Sequence, residues 1–550
     1  MRIKPYTGSF NILRLFVGDG FKLLILTPKI RNNIMEKIKI LWADDEIDLL
    51  KPHVMFLEQK GFEVDTVTNG DDALEHVQDQ NYDIIFLDEN MPGLTGLETL
   101  TQIKNKKPNT PVVMITKSEE ESIMEDAIGS KISDYLIKPV NPNQILLTIK
   151  KNLDTRRLVS EKTTINYQQE FRKIGMELGA INSWEEWVEM YQRLVYWELE
   201  LESLEDPGMH EILKMQKDEA NNLFTRFIEN NYQDWLHGAE DKPTMSHTVF
   251  KNWIAPHLKP GKPVFLFMID NLRHDQWKVV EKAISPMYRT ESEKMYMSIL
   301  PTATQFARNA FFAGLMPLEI EKRHPDLWVN DTEEGSKNAS EDVFLKDQLK
   351  RLGLDIKMSY HKVIKQDFAK KLASNMKNLA QNDLNVIVYN FVDMLSHSKT
   401  DMEVIRELAE DDKAYRSLTE SWFNNSPLLD MIRSAHEMGA DVIITTDHGT
   451  INVDNPVKVV GDRNTNTNLR YKQGKSLNYD AKEVFFTTRP KDFFLPAPNV
   501  STSYIFAKSN DFFAYPNNYN YYVSYYRNTF QHGGVSLEEM IIPMAILKAK

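Results

Sequence analysis

The chain contains no cysteine in 550 residues. Disulfides and thiolate metal sites are therefore excluded, and any metal must be held by Asp, Glu, His, hydroxyl or backbone oxygen. Long hydrophobic runs are missing too, which excludes a helical membrane insertion. Basic charge is scarce: 66 Lys and Arg face 79 Asp and Glu, for a net charge of −13. With no basic run, that balance argues against a duplex-DNA-binding surface. The remaining composition is ordinary for a globular protein, and the length calls for several domains.

Residues 1–34 carry six Lys and Arg against Asp19 alone. Their apolar part is broken by Arg14, Gly18-Asp19-Gly20 and Lys22, which makes a poor signal-peptide core. A strand pattern begins at Lys37 without a spacer. The stretch is expected to be an unassigned leader, with Met35 as the alternative start.

From 35 to 155, short apolar runs at Ile38–Asp45, Glu63–Thr68, Asp83–Asp88, Pro111–Thr116 and Asp134–Ile137 alternate with helical patterns. That alternation predicts a parallel sheet covered on both faces. Polar residues cluster at the strand ends: Asp44 and Asp45, Asp88, Thr116 and Lys138. Three carboxylates meeting at one edge repel unless a hard cation joins them, and Mg²⁺ suits oxygen ligands. A nearby Lys and hydroxyl would then serve a phosphoryl group carried on one carboxylate.

These residues resemble the receiver domain of bacterial response regulators, a flavodoxin-like α/β fold. The resemblance implies Asp88 as phosphoacceptor, with Asp44, Asp45, Asp88 and the carbonyl of Asn90 holding magnesium. It implies Thr116, Tyr135 and Lys138 as switch residues, and a sensor histidine kinase as phosphate donor.

Residues 156–250 lack strand signals. Trp184, Trp187, Tyr191, Leu194, Tyr196, Trp197, Leu201 and Leu204 recur at helical spacing until Asp206-Pro207-Gly208, and a second pattern runs from Met209 to about Leu236. We expect a helical-bundle linker whose aromatic stripe is a core between helices and which relays the receiver's state. No Gly-containing turn opens a basic reading helix, so a DNA-binding transcription regulator is not expected.

Residues 251–550 place metal-capable side chains after buried apolar runs. Val264–Ile269 leads to Asp270; Asn385–Val392 leads to Asp393, with His397 four residues on; Asp441–Thr446 leads to Asp447-His448. In an open α/β sheet such strand ends gather ligands. Asp393 and His397 would share one face of a helix. Thr302 and Thr304 precede an apolar helical pattern, where a helix N-terminus favours phosphate and alkoxide. His532-Gly533-Gly534 follows near the end, and paired glycines let backbone approach a ligand closely.

This order resembles the alkaline phosphatase superfamily, and within it the PglZ-type branch, which gives a third α/β domain. The resemblance implies one zinc held by Asp393, His397 and His532, and a second by Asp270, Asp447, His448 and the nucleophile. Thr304 fits the family's nucleophile spacing to Gly314-Leu-Met-Pro317, with Thr302 the minority choice. Imidazole and carboxylate ligands favour Zn²⁺, with Mn²⁺ as the substitute. The family's diesterases suggest a phosphodiester substrate, a nucleotide among the candidates.

Arg273, Arg308 and Arg463 are candidates for a substrate phosphate or ordinary surface charges. The segments 317–335 and 461–474 are expected to rim the cleft, and the aromatic run Tyr519–Tyr526 to pack, with base stacking the alternative.

As a whole, the chain resembles PorX-type response regulators associated with type IX secretion. That implies a cytoplasmic protein that forms a homodimer on phosphorylation and contacts a sigma factor or secretion-machinery component. The alternative to an enzyme is a non-catalytic scaffold that recruits such a component.

Overall fold

The computed structural model describes residues 38–108, 110–117, 132–202, 207–331, 333–401, 409, 411–462 and 465–550, with all side chains among them except those at 154–162, 165, 207 and 397–401. The leader 1–34, Arg463 and the His397 side chain lie outside the described residues. The chain divides into two compact units, 1–161 and 162–550.

In the first unit, five parallel strands, β1 (Lys39–Ala43), β2 (Glu63–Val67), β3 (Ile84–Asp88), β4 (Val112–Thr116) and β5 (Asp134–Ile137), lie in the order β2-β1-β3-β4-β5. This is the flavodoxin-like order. Every residue of β3 and β4 is buried, as central strands of a parallel sheet covered on both faces require, whereas edge strand β2 keeps Glu63 exposed. Helices α1 (Lys51–Gln59), α2 (Gly70–Asp79), α3 (Gly96–Lys106) and the first part of α4 (Pro142–Leu178), up to residue 161, accompany the sheet sequence. A capping box between Thr95 and Glu98 starts α3 just beyond the loop after β3.

The second unit is built on a six-stranded sheet. Its strands are β6 (Val264–Ile269), β7 (Tyr288–Met297), β8 (Met358–Val363), β9 (Leu384–Tyr389), β10 (Asp441–Thr445) and, after a two-stranded ribbon of β11 (Ile451–Val453) and β12 (Thr529–Gln531), β13 (Ile541–Ala549). The order is β7-β13-β10-β6-β9-β8, parallel from β10 to β8, with β13 antiparallel to both neighbours. Strands β10, β6 and β9 are therefore adjacent, and all three carboxyl ends open on one edge.

The side chains of β6 alternate between two cores. Phe265, Phe267 and Ile269 join Trp277 and Ile432, while Val264, Leu266 and Met268 join a core that also holds Trp187, Tyr191, Leu194, Phe224 and Ile228. Those last residues lie on α5 (Trp184–Leu201) and α6 (Pro207–Leu236). Most of the linker's aromatic stripe is thus core, although Tyr196 is 54% exposed, and that core is shared with the sheet rather than closed among helices as expected.

Buried charge ties the same helices down. Glu198 of α5 pairs with Arg416 at 2.6 Å and with Lys217 of α6 at 2.7 Å, and Arg416 pairs with Asp275 at 2.9 Å. Asn221 of α6 donates to Glu538 at 3.0 Å and accepts from the amide of Leu537 at 2.8 Å. No helix among the described residues is long and apolar enough to cross a membrane.

Candidate functional site

Three segments leave the carboxyl edge of the large sheet and carry the polar residues with them. Asp270 follows β6 directly and is fully buried. Asn271, held at φ 66°, turns the chain so that its amide donates to Asp447 Oδ1 at 3.4 Å and its side chain donates to Ser396 at 3.2 Å. Asp447 and His448 follow β10, also fully buried, with their backbone gripped by Ser298, which donates to the Asp447 carbonyl at 2.8 Å, and by Tyr296, which donates to the Thr446 carbonyl. Asp393 sits in the first turn of α7 (Phe391–Asp401), which begins just past β9.

The candidate nucleophile enters from another side. Thr304 is the first residue of a further helix (Thr304–Ala313). Its Oγ1 lies 3.0 Å from His448 Nε2 and 3.4 Å from Asp270 Oδ1. Asp270, Asp447 and His448 each offer an atom within 4.8 Å of the others. Thr302, by contrast, is fully buried and already engaged: its hydroxyl donates to the Gly534 carbonyl at 2.8 Å and accepts from the Gly533 amide at 3.1 Å.

His532 Nε2 lies 3.7 Å from Asp393 Oδ1, and its ring stacks on His448 with centroids 4.3 Å apart. Both imidazoles turn Nδ1 to a backbone carbonyl, His448 to Gly449 at 3.1 Å and His532 to Thr302 at 3.2 Å. That arrangement fixes the tautomer which leaves Nε2 as a metal donor. The structure therefore brings Asp270, Thr304, Asp393, Asp447, His448 and His532 into one pocket. The backbone of His397 lies one turn beyond Asp393 on α7.

The donor set fits a divalent cation. Burial opposes ionisation of both carboxylates; at Asp270 the Arg308 guanidinium and the His448 ring together outweigh it and hold the carboxyl below its ordinary range. At Asp447, burial reinforced by the neighbouring Asp270 charge pushes the carboxyl up, and Oδ2 has no hydrogen-bond partner. An added positive ion answers both facts, and imidazole-carboxylate ligation suits Zn²⁺.

At the receiver edge, Asp44, Asp45 and Asp88 likewise offer atoms within 4.8 Å of one another. Lys138 Nζ lies 2.8 Å from both Asp44 Oδ2 and Asp88 Oδ2, while buried Asp88 Oδ1 has no hydrogen-bond partner. Burial, with Asp44 and Asp45 adding to it, raises the Asp88 carboxyl despite Lys138. Three carboxylates around one ammonium leave room in charge for Mg²⁺. Thr116 ends β4, Tyr135 hydrogen-bonds with it from β5, and Asn90 lies exposed in the loop after β3.

Arg273 and Arg308 are not surface charges: they are 2% and 1% exposed. Arg273 pairs with Asp275 and with Asp412, both at 2.5 Å, which keeps it from any substrate. Segments 317–335 and 461–474 meet through Asp331, which accepts from Tyr471 at 2.8 Å and from Asn466 at 2.9 Å. The helix Tyr519–Tyr526 packs, as expected, through Tyr519, Val523 and Tyr526 on a small core around Phe512, although none of its residues is fully buried. Two contributions escaped sequence reasoning. Buried Glu341 binds Arg308, and the buried Arg470–Glu539 pair at 2.5 Å steadies the Gly533-Gly534 turn, where Glu539 accepts from the Gly534 amide at 2.9 Å. Only a Glu or Arg beside apolar neighbours signals such pairs, and their partners lie far away in the chain.

A family model of the BREX system PglZ alkaline phosphatase-like domain matches residues 249–547, more than half of the chain. Models of the PorX response regulator linker domain and of the response regulator receiver domain match residues 157–236 and 40–150. Transcriptional regulatory protein ResD of Bacillus subtilis (strain 168) is 38% identical over 112 residues, covering 20% of this chain and 46% of that protein. Transcriptional regulatory protein SrrA of Staphylococcus aureus (strain NCTC 8325 / PS 47) is 32% identical over 131 residues, covering 24% and 52%. The chain spans about half the length of these curated relatives. Among solved structures, a CheY-like receiver domain protein from Methanospirillum hungatei JF-1 matches at 25% identity and a TM-score of 0.22, covering 22% of this chain and 97% of that one. With a receiver domain, a PorX linker and a PglZ domain in that order, the chain belongs to the PglZ alkaline phosphatase-like family in its PorX-type response-regulator form.

Proposed function

We propose that the chain is a phosphorylation-controlled phosphodiesterase, with nucleotide phosphodiesters as substrates and type IX secretion as the process it regulates. The observation that carries this reading is the Thr304 hydroxyl, 3.0 Å from His448 Nε2 and 3.4 Å from Asp270 Oδ1 at the start of a helix. Asp270, Asp447 and His448 would hold one Zn²⁺ with Thr304, and Asp393, His397 and His532 the other. Two such ions lower the pKa of a coordinated hydroxyl and offset charge on the departing oxygen.

Thr304 Oγ, having lost its proton, bonds to phosphorus while the bond to the leaving alcohol breaks. Water then cleaves the phosphothreonine, releasing a phosphomonoester and restoring the hydroxyl. The positive end of the helix dipole faces the developing negative charge. Thr302 is already bonded to Gly534 and Gly533, which supports Thr304 as the nucleophile.

In the receiver, Asp88 Oδ1 would accept phosphate from a sensor histidine kinase, with Asp44, Asp45, Asp88 and the Asn90 carbonyl holding Mg²⁺. Thr116, Tyr135 and Lys138 would respond to the phosphoryl group by favouring a homodimer in the cytoplasm. A sigma factor or secretion component is the proposed partner downstream. The PorX linker model match supports that assignment of process.

Hydrolysis of bis-p-nitrophenyl phosphate by wild type, Thr304→Val and Asp393→Ala tests the reading. Turnover by the wild type and its loss in both variants is expected. Equal rates in all three would remove catalysis from this site and leave the scaffold role.

A further inference from the structure

We infer that Arg308 is a positioning residue that decides which oxygen of Asp270 faces the nucleophile; the inference rests on the two-metal reading above. Arg308 lies four residues after Thr304 in the same helix, so the two share a face one turn apart. At 1% exposure its guanidinium is closed to solvent and substrate. Its contacts all run inward: Nη1 is 2.7 Å from Asp270 Oδ2, Nε is 2.7 Å from Glu341 Oε1, and Nε is 3.9 Å from Asp447 Oδ2.

Glu341 holds the guanidinium from behind. It is 1% exposed, is the first residue of the helix Glu341–Arg351, and accepts from the Tyr360 hydroxyl and from Lys362 Nζ at 3.1 Å. Two buried side chains thus occupy the guanidinium at two of its nitrogens. A Lys could supply the charge but not this fork.

The guanidinium is ion-paired to Oδ2 of Asp270, an oxygen with no hydrogen-bond partner, and this leaves Oδ1 pointing at Thr304, 3.4 Å away, and at His448 Nε2, 3.9 Å away. The ion pair favours Oδ1 as the donor oxygen and opposes a rotation of the carboxylate that would exchange the two. Because Thr304 and its clamp ride on one helix, the spacing between the nucleophile and this carboxylate is set by a single helical turn.

The test uses the full chain as wild type, Arg308→Lys and Glu341→Gln, with circular dichroism to check folding. Zinc affinity and the visible spectrum of the Co²⁺-loaded protein are the readouts, since a general packing role would leave the Co²⁺ bands unmoved. Arg308→Lys should weaken zinc binding at the Asp270, Asp447 and His448 site about ten- to a hundredfold and alter the Co²⁺ bands. Its kcat should fall while KM stays, because Arg308 touches no substrate. Glu341→Gln should reproduce the spectral change in milder form, and serves if Arg308→Lys does not fold. Folded variants with unchanged zinc affinity and unchanged Co²⁺ bands would overturn the inference. A wild type that takes up no zinc would instead remove the metal reading, and this inference with it.

Discussion

His448 and His532 stack face to face, with ring centroids 4.3 Å apart and planes 20° from parallel. One follows a central strand of the sheet and the other follows the ribbon strand β12, so two separate parts of the chain meet at this pair. If each imidazole serves a different ion, His532→Ala should lower zinc content by one ion per chain and leave the set of Asp270, Asp447 and His448 loaded. Elemental analysis of the purified variant reads this directly.

Gly449 approaches the Glu538 carbonyl so closely that a Cβ there would stand 2.0 Å from the oxygen. Gly449→Ala must push one of the two backbones aside, at a cost of about 1–3 kcal/mol by the usual penalty for overpacking. Thermal unfolding should show that loss. Turnover should fall as well, because His448 is the preceding residue.

Glu198 places a carboxylate from the linker against Arg416, whose side chain is 4% exposed. Glu198→Ala leaves buried Arg416 with Asp275 as its main partner and should cost about 1.5–3 kcal/mol, the range for losing a hydrogen bond between charged groups. Urea unfolding of the full chain measures it, and the expected change is a lower midpoint with the same slope.

His274 is 2% exposed, and burial pushes its imidazole down to about 3 with Lys278 helping. The unfolded chain takes up this proton near its ordinary value of about 6.5, whereas the folded chain resists it. The associated stability is full above about 6.5 and drains away as pH falls toward the folded value. Between pH 7 and pH 5 the loss is about 2 kcal/mol, and His274→Phe should flatten that part of the profile relative to wild type.

Asp88→Ala should abolish any self-association that acetyl phosphate induces in the wild type, as followed by light scattering. Unchanged association in the variant would disconnect this carboxylate from dimer formation.

Much of this was written in the sequence, because strand ends are legible. An apolar β-branched run that stops at Asp88, Asp270 or Asp447 announces both the strand and the edge its last residue faces. The order of Thr304, Asp393 and His532 added the family. What the sequence could not show was where long-range partners lie. Arg308 and Arg273 look like surface charges until Glu341, Asp275 and Asp412 fold against them. The Tyr519–Tyr526 run packs as expected, but by one side only, and nothing in its spacing says that Phe512 is the partner. Helical spacing marks most of the linker's aromatic stripe as core, but it does not separate off the exposed Tyr196, and no local pattern says that the other half of that core is β6.

That shared core bears on how far the chain can be trimmed. A piece severed at residue 250 would lose the Asn221 side chain that caps the Leu537 amide and would bare the faces of Val264, Leu266 and Met268. The smallest autonomous hydrolase is thus expected to begin near residue 162, where the second compact unit starts, and to keep both linker helices as part of its own body.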